Sequence, residues 1–292
     1  MTFSYLIVTR NRPNDLEITL GKLQELVRSN FDEVLVFIDG CSKTEYLKNR
    51  FPWVKWTISK VQLGASPARN KLYSLAQNDI LIGLDDDAHP LEVDFKSKVI
   101  SRFRESEKTA IIAFQEITGV FKDDLDALSK KRKGADYYTN EFVGCGFAIR
   151  KEVYDSIAGF PKWMNIYGEE TAVALQVLDR GFDVLYSYDI AVNHRKDALA
   201  RRKTGANYFR FEKQLINTIA LYIIYYPKPI KKILKVIWHN GRKYAIQDAT
   251  YLKCYFRAVF KAIGRVPMYI KNRKPVKGST VIRRNNLQGI QY

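Results

Sequence analysis

Three consecutive carboxylates, Asp85, Asp86 and Asp87, end the short apolar run Leu81-Ile82-Gly83-Leu84, and no other stretch of the chain concentrates so much chemistry. Asp is a poor strand residue, and three like charges side by side repel one another. Such a cluster needs a positive neighbour. At the end of a buried strand a divalent metal fits, because hard cations prefer carboxylate oxygens. The plainer alternative is a solvated acidic turn capping the helix that follows. The surrounding elements have to decide between them.

Phe3 to Val8 reads as a buried strand, followed by the polar loop Thr9-Arg10-Asn11-Arg12-Pro13. Leu16, Leu20, Leu23 and Val27 recur at helical spacing, with Pro13 acceptable at the helix start. Val34 to Ile38 is a second strand, stopped by Asp39-Gly40, and Trp53 to Ile58 a weaker third. Ser66 as N-cap and Pro67 as first residue open another helix, and Ile80 to Leu84 is the fourth strand. Continuous apolar strands alternating with helices predict a mostly parallel sheet covered on both faces. Ligands of such sheets bind at the carboxyl ends of the strands. Thr9 to Arg12, Asp39 and Asp85 to Asp87 lie at those ends, so they are predicted to converge on one crevice.

Downstream, a helix is predicted at about Glu92 to Glu105 and a strand at Ala110 to Phe114. Lys122 to Lys133 reads as a surface helix or mobile loop. Val143-Gly144-Cys145-Gly146-Phe147 is glycine-rich and runs into a strand; its glycines allow close backbone approach to a ligand or serve the fold alone. Tyr167-Gly168-Glu169-Glu170 opens a helix, and strands at Phe182 to Tyr186 and Ile190 to Val192 lead to His194.

The chain has 292 residues, 46% of them hydrophobic, which is a folded composition of one large core or one domain with an appended segment. No run approaches the ~20 apolar residues of a membrane span. The first residues lack a basic leader, and three scattered cysteines predict a reducing compartment without disulfides. A cytoplasmic location is therefore expected. The net charge of +17 is uneven: residues 195–292 hold 23 Lys and Arg against 3 acids, +20, leaving −3 for the first 194.

Taken together, the motifs resemble an inverting family 2 glycosyltransferase with the GT-A fold. The matching pieces, in order, begin with Thr9-Arg10-Asn11-Arg12, Phe37-Ile38-Asp39-Gly40-Cys41-Ser42 and Gly64-Ala65-Ser66-Pro67-Ala68-Arg69-Asn70. Leu84-Asp85-Asp86-Asp87-Ala88, Gly144-Cys145-Gly146-Phe147-Ala148-Ile149-Arg150 and Gly168-Glu169-Glu170 follow. The resemblance spans roughly residues 3 to 195. It implies a nucleotide site lined by Thr9, Arg10 and Arg12, with Asp39 reading a pyrimidine base of a UDP or dTDP donor. Arg69 would contact the nucleotide or its phosphates. Asp85 and Asp87 match the outer acids of the DxD motif, with Asp87 on the Mn²⁺ or Mg²⁺ ion and Asp85 toward the ribose or the metal's waters. Asp86 is the variable middle residue, within the nucleotide site and expected to tolerate change. Glu170 would be the catalytic base, Glu169 a possible substitute. His194 is either a third metal ligand or a packed histidine; His89, before Pro90, looks structural. Trp163, Met164 and Tyr167 form an acceptor platform or belong to the core, and Gly144 and Gly146 are the other candidate acceptor contacts. The Gln-x-x-Arg-Trp signature of processive synthases is missing after His194, which implies one sugar added per encounter to a glycan or lipid-linked acceptor of cell-surface polysaccharide assembly.

The expected organisation is a GT-A catalytic domain over 1–195, a basic helical region over 196–270 and a flexible basic tail over 271–292. From Arg201-Arg202-Lys203 onward, apolar helix faces alternate with cations. Three readings compete: an appendage packed on the catalytic domain, a patch on an anionic membrane surface at the inner face, and nucleic-acid binding, which is the least expected. A sugar-phosphate nucleotidyltransferase is the rival enzyme, but the loop Thr9 to Asp15 lacks the glycines it needs. A basic nucleic-acid-binding protein is the non-enzyme rival.

Overall fold

A computed structural model describes residues 1–27, 31–196 and 207–290. Arg201-Arg202-Lys203 and the expected boundary beyond 196 lie outside the described residues.

The sheet has nine strands: β1 (Phe3–Thr9), β2 (Glu33–Asp39), β3 (Lys55–Ser59), β4 (Ile80–Asp85), β5 (Ala88–Pro90), β6 (Thr109–Thr118), β7 (Tyr137–Thr139), β8 (Gly146–Arg150) and β9 (Asp183–His194). Their order is β3-β2-β1-β4-β8-β6-β9-β5, with β7 also on β9. The first four are parallel, as the apolar runs predict. Beyond β4 the sheet is mixed: β8 runs antiparallel to β4 and β6, while β6 and β9 are parallel. The sheet is mostly parallel, as expected, and the antiparallel pairs are those made by β8, β5 and β7.

Among the described residues, seven helices belong to this layer: α1 (Pro13–Leu26), α2 (Leu47–Arg50), α3 (Ala65–Tyr73), α4 (Phe95–Glu105), α5 (Asp124–Leu128), α6 (Lys151–Asp155) and α7 (Glu169–Asp179). Strand side chains alternate between faces. Phe3, Tyr5 and Ile7 join Ile80, Ile82 and Leu84 in a core with Leu16, Leu20 and Phe95 from α1 and α4. Leu6, Leu35 and Leu81 point the other way, onto Leu72 and Val173 from α3 and α7. Both faces are covered, which is why the strands read as unbroken apolar runs. Gly83 sits where a Cβ would come within 2.2 Å of the Tyr73 hydroxyl and the Phe147 ring, so the close approach of β4 to its cover requires glycine there.

Two local expectations change. Ser66 lies inside α3 rather than capping it, and its hydroxyl donates to the Pro161 carbonyl at 2.7 Å. The strands predicted at 182–186 and 190–192 are one twelve-residue strand, β9, with a register shift opposite Phe114 and Gln115. Asp136 makes this possible: its carboxylate accepts from the Tyr188 N–H and the Ser187 hydroxyl, both at 2.8 Å, so the irregular stretch keeps its donors satisfied.

The C-terminal third forms α8 (Tyr208–Tyr225), α9 (Ile230–Asn240), a π-helical turn (Gly241–Ala245), α10 (Ala249–Gly264), α11 (Val266–Lys271) and α12 (Gly278–Asn286). Among the described residues no helix is long and apolar enough to cross a membrane. Helix α8 is apolar almost all round because it is buried on two sides. Ala220, Leu221 and Ile224 pack on Met164, Ala172 and Leu175 of the sheet layer. Leu215 and Ile219 pack on Tyr251, Cys254 and Ala258 of α10. Within the stretch expected as a basic tail, α12 is tied to the sheet layer. The Lys277 N–H and Thr280 hydroxyl both donate to Asp179 at 2.7 Å, anchoring α12 to the end of α7, and Arg283 pairs with Asp183.

Candidate active site

The carboxyl ends of β1 and β4 meet the end of β9 where the three Asp residues lie. The alternation of β4 sends Asp85 toward α3, following Leu81 and Gly83. The turn after it sends Asp86 toward α1. Asp86 accepts from the Thr9 hydroxyl at 2.7 Å and pairs with Arg12 Nη1 at 2.7 Å. Burial pushes its carboxyl up to about 7 against the pull of Arg12. Asp86 is only 4% exposed and fastens the Thr9 loop to the turn after β4, partners that the expectation of a tolerant middle residue did not include. Arg12 Nη2 continues to Asp87 Oδ2 at 2.5 Å. Arg10, on the same loop, is exposed.

Asp87 and His194 are each 1% exposed. Strand β5 pairs with β9 so that Ala88 lies opposite His194, which brings Asp87 beside the imidazole. Asp87 Oδ1 and His194 Nε2 are 3.0 Å apart yet share no hydrogen bond of proper geometry, and both atoms are buried without a partner. Asp85 Oδ2 lies 3.8 Å from the same nitrogen. Ligand atoms of Asp85, Asp87 and His194 all fall within 4.8 Å of one another. Two orphaned buried atoms facing a third carboxylate, in an oxygen-rich set with one imidazole, suit Mn²⁺ or Mg²⁺. The carboxylate of Asp87 is poised to be charged: burial would raise it, but His194 and Arg12 together hold it below the ordinary range. His194 is raised, because Asp87 and Glu116 outweigh the burial that would lower it. The pocket thus favours positive charge at Nε2, carried by a proton or by a metal in its place.

Glu116, near the end of β6, has no counterpart among the predicted residues. Its Oε1 lies 2.5 Å from His194 Nδ1, and although burial raises it, His194 brings its carboxyl down to about 2. This is the carboxylate–histidine arrangement that fixes the tautomer and aims Nε2 outward. An acid at the end of the β-rich run 110–118 was its signal. Replacing Glu116 by Gln is expected to weaken Mn²⁺ binding ~10–100-fold in calorimetric titration while leaving the fold intact; unchanged affinity would remove this role. The alternative cluster Glu116, Cys145 and His194 is a poorer site, because burial raises the Cys145 thiol well above its usual range.

Arg69 connects Asp85 to the acidic pair. Nη2 contacts Asp85 at 2.7 Å and the Gly144 carbonyl at 3.3 Å, and Nη1 contacts Glu170 at 3.0 Å and Glu169 at 3.4 Å. The guanidinium is buried among these acids instead of reaching into open space for a phosphate, so its placement is that of a bridge. Gly144 permits it: a Cβ there would come within 2.3 Å of Glu170 and 2.8 Å of Arg69. Gly146 serves the fold, since a Cβ would come within 2.6 Å of Val192, and the expectation of an acceptor contact does not suit it.

The turn before α7 is held in an unusual shape. Tyr167 has φ of 74° and Gly168 of 104°. Asn217 on α8 fastens the turn, its amide donating to the carbonyls of Ile166 at 2.8 Å and Tyr167 at 2.9 Å. A positive φ at Tyr marks backbone held by its surroundings. The C-terminal helices thereby help to position Glu169 and Glu170. Glu169 is buried and its pKa is raised, chiefly by burial and then by Glu170.

Asp39 ends β2 with both oxygens engaged, accepting from the N–H of Leu63 at 2.7 Å and of Gly64 at 2.9 Å. It orders the loop entering α3, a role the sequence did not predict. Trp163 packs against Tyr225 and Tyr269 in the helical core, and one side lines a cavity of about 390 Å³ with Leu63, Pro67 and Asn165. Met164 is buried. His89 is structural, bracketed by Asp124 at 3.1 Å and Arg195 at 2.6 Å.

The fold is the GT-A glycosyltransferase fold. Among solved structures the chain is similar to GalNAc-T7 with UDP, GalNAc and Mn²⁺, with a TM-score of 0.64 and 16% identity over 87% of this chain and 54% of that one. It is similar to the mannosyltransferase PcManGT from Pyrobaculum calidifontis in complex with GDP-Man and Mn²⁺, with a TM-score of 0.57 and 18% identity over 90% and 75%. It is similar also to S. aureus TarS 1–349, with a TM-score of 0.60 and 12% identity over 94% and 83%. The chain thus spans about half the length of GalNAc-T7 and most of the other two. No family model and no curated protein matches the sequence.

Proposed function

We propose that this protein is an inverting, metal-dependent glycosyltransferase that moves one sugar from a UDP- or dTDP-type donor to a glycan or lipid-linked acceptor, in cell-surface polysaccharide assembly. One observation carries this reading: Asp85, Asp87 and His194 converge on two unpartnered buried atoms, and Arg69 joins that cluster to Glu170. GalNAc-T7 in its complex with UDP, GalNAc and Mn²⁺, and PcManGT in its complex with GDP-Man and Mn²⁺, support a nucleotide-sugar donor for this fold.

Asp85, Asp87 and His194 would hold the metal. When bound, it supplies Lewis-acid stabilisation of the charge that develops on the departing diphosphate. Glu170 takes the proton of the acceptor hydroxyl as that oxygen attacks the anomeric carbon. Glu170 suits the base better than Glu169 because Glu169 is the more deeply buried of the two and burial favours its protonated form, which cannot take a proton. Arg69 holds Glu170 in register with Asp85, fixing the base relative to the donor side. Displacement from the face opposite the leaving group inverts the anomeric centre in a single step. Asp39 would accept from the base imide with its remaining lone pairs, which selects uracil or thymine.

The decisive experiment is a thermal-shift screen with UDP-, dTDP- and GDP-sugars in the presence of Mn²⁺. A saturating UDP- or dTDP-sugar is expected to raise the melting temperature by about 5 °C, and EDTA to abolish the gain. A shift with GDP-sugars alone overturns the role of Asp39; no shift with any donor overturns the donor reading.

A further inference from the structure

Large apolar side chains stand exposed on α9 and α10 in ordered rows. On α9, Ile230, Leu234 and Trp238 recur every fourth residue and are 70, 61 and 63% exposed. The adjoining arc of the same helix, Ile233, Val236 and Ile237, packs inward. On α10, Leu252, Phe256, Phe260 and Ile263 form a second exposed row, while Tyr251, Cys254, Ala258 and Ala262 form the buried one. The two helices are neighbours: the Tyr255 hydroxyl donates to the Ile237 carbonyl at 3.2 Å. Single exposed hydrophobics are normal on a soluble surface, but seven on two adjacent helices mark an interaction face.

The charges beside these rows are of one sign. Lys228, Lys231 and Lys235 flank the α9 row, and Lys253 the α10 row. Arg242 lies over the Trp238 ring, its guanidinium carbon 5.5 Å from the ring centre. Glu212 is already taken by Arg257 and Lys261. The only acid between 213 and 290, Asp248, caps α10 by accepting from the Tyr251 N–H at 2.7 Å.

We infer that the α9–α10 face docks on an anionic lipid bilayer, with the apolar rows entering the headgroup–acyl boundary and the lysines at the phosphates. The occupant follows from charge and chemistry. A second copy would bring two cationic faces together. Nucleic acid needs the cations but gains nothing from rows of Leu, Ile and Phe. A bilayer takes both: lysine stems lie along apolar surface with their ammonium groups outward, each adding electrostatic attraction, and buried apolar area supplies the rest. This inference stands apart from the donor-site reading, because none of these residues touches the active site.

Flotation of the full chain with phosphatidylcholine–phosphatidylglycerol vesicles, against pure phosphatidylcholine, tests it. Binding to the anionic vesicles at low salt is expected, weakening as salt is raised, with a blue shift of the tryptophan emission that Trp238→Phe removes. Lys231→Glu and Lys235→Glu are each expected to lower the partition coefficient at least about fivefold. The double variant Leu234→Ser/Phe260→Ser is expected to lower it at least about tenfold. Both changed side chains are exposed, so the variant should melt like the parent chain, and circular dichroism checks this. A folded parent chain that ignores anionic vesicles overturns the inference, as does equal binding to neutral ones or a double variant that floats like the parent. A parent chain that dimerises without lipid and loses the dimer in the double variant assigns the face to self-association instead.

Discussion

A chain carrying Asp87→Ala is expected to lose Mn²⁺ binding and to transfer sugar ~10³-fold more slowly, since metal stabilisation of the leaving group amounts to several kcal/mol. Asp87 Oδ1 is one of two buried, unpartnered atoms facing each other across the site, 3.0 Å from His194 Nε2, and the carboxylate oxygen of Asp85 lies farther from that nitrogen, at 3.8 Å. Its other oxygen holds Arg12 Nη2, so the substitution also removes one tether of the Arg12 loop, which Asp86 still fastens. Metal affinity by calorimetry or Mn²⁺ EPR and turnover of the preferred donor are the paired measurements. Loss of turnover with metal affinity intact would assign Asp87 to the Arg12 loop and not to the metal. Full activity would remove the metal assignment altogether.

The second large effect is expected from Glu170→Gln. The amide still accepts from Arg69 but takes no proton, so kcat should fall ~10²–10⁴-fold, the range for a lost general base, with KM for the donor little changed. Glu169→Gln is the contrast. Burial already keeps Glu169 protonated, and Gln is close in shape to the protonated acid, so turnover should change far less. Stability should respond instead. The folded-state pKa of Glu169 lies above its unfolded value, so the native state binds the extra proton between the two. That contribution is present below the unfolded value and is lost as pH rises through the folded one. Melting curves across this window should therefore decline less with pH in Glu169→Gln than in the parent chain. If Glu169→Gln abolishes turnover and Glu170→Gln does not, the roles of the pair are exchanged. Product configuration, read from the anomeric coupling of the new linkage, tests inversion directly.

The parallel half of the sheet was legible because both faces of β1, β2 and β4 are covered, which turns the strands into unbroken apolar runs. The mixed half was not. The pairing of β5 and β7 with β9 depends on contacts 45 or more residues apart, and three-residue strands carry no period to read. The merging of two strand signals into β9 depends on Asp136, a side chain from another segment that satisfies the irregular stretch. The anchor of α12 was not legible for a similar reason: it is Asp179, almost a hundred residues away, and basic composition does not reveal a distant acid.

Within the site, the sequence alone determined the kinds of chemistry present: an acidic cluster at a strand end, a second acidic pair at a helix start, a histidine ending the last strand, and a basic third with apolar stripes. Residue type and local spacing carry that information, since they set which atoms can bind a cation or take a proton and which elements hold them. Only the tertiary structure decided how those groups are divided. It set Asp86 against Thr9 and Arg12, gave Asp87 and His194 to one another, and supplied Glu116 behind the imidazole. It turned Arg69 inward as a bridge and buried Glu169 more deeply than Glu170. It also placed one side of the basic helices on the catalytic layer and left rows on α9 and α10 open. The physical reason is the same in each case. Partner choice, burial and protonation depend on distances between residues far apart in the chain, and those distances exist only once the sheet and its helices have packed.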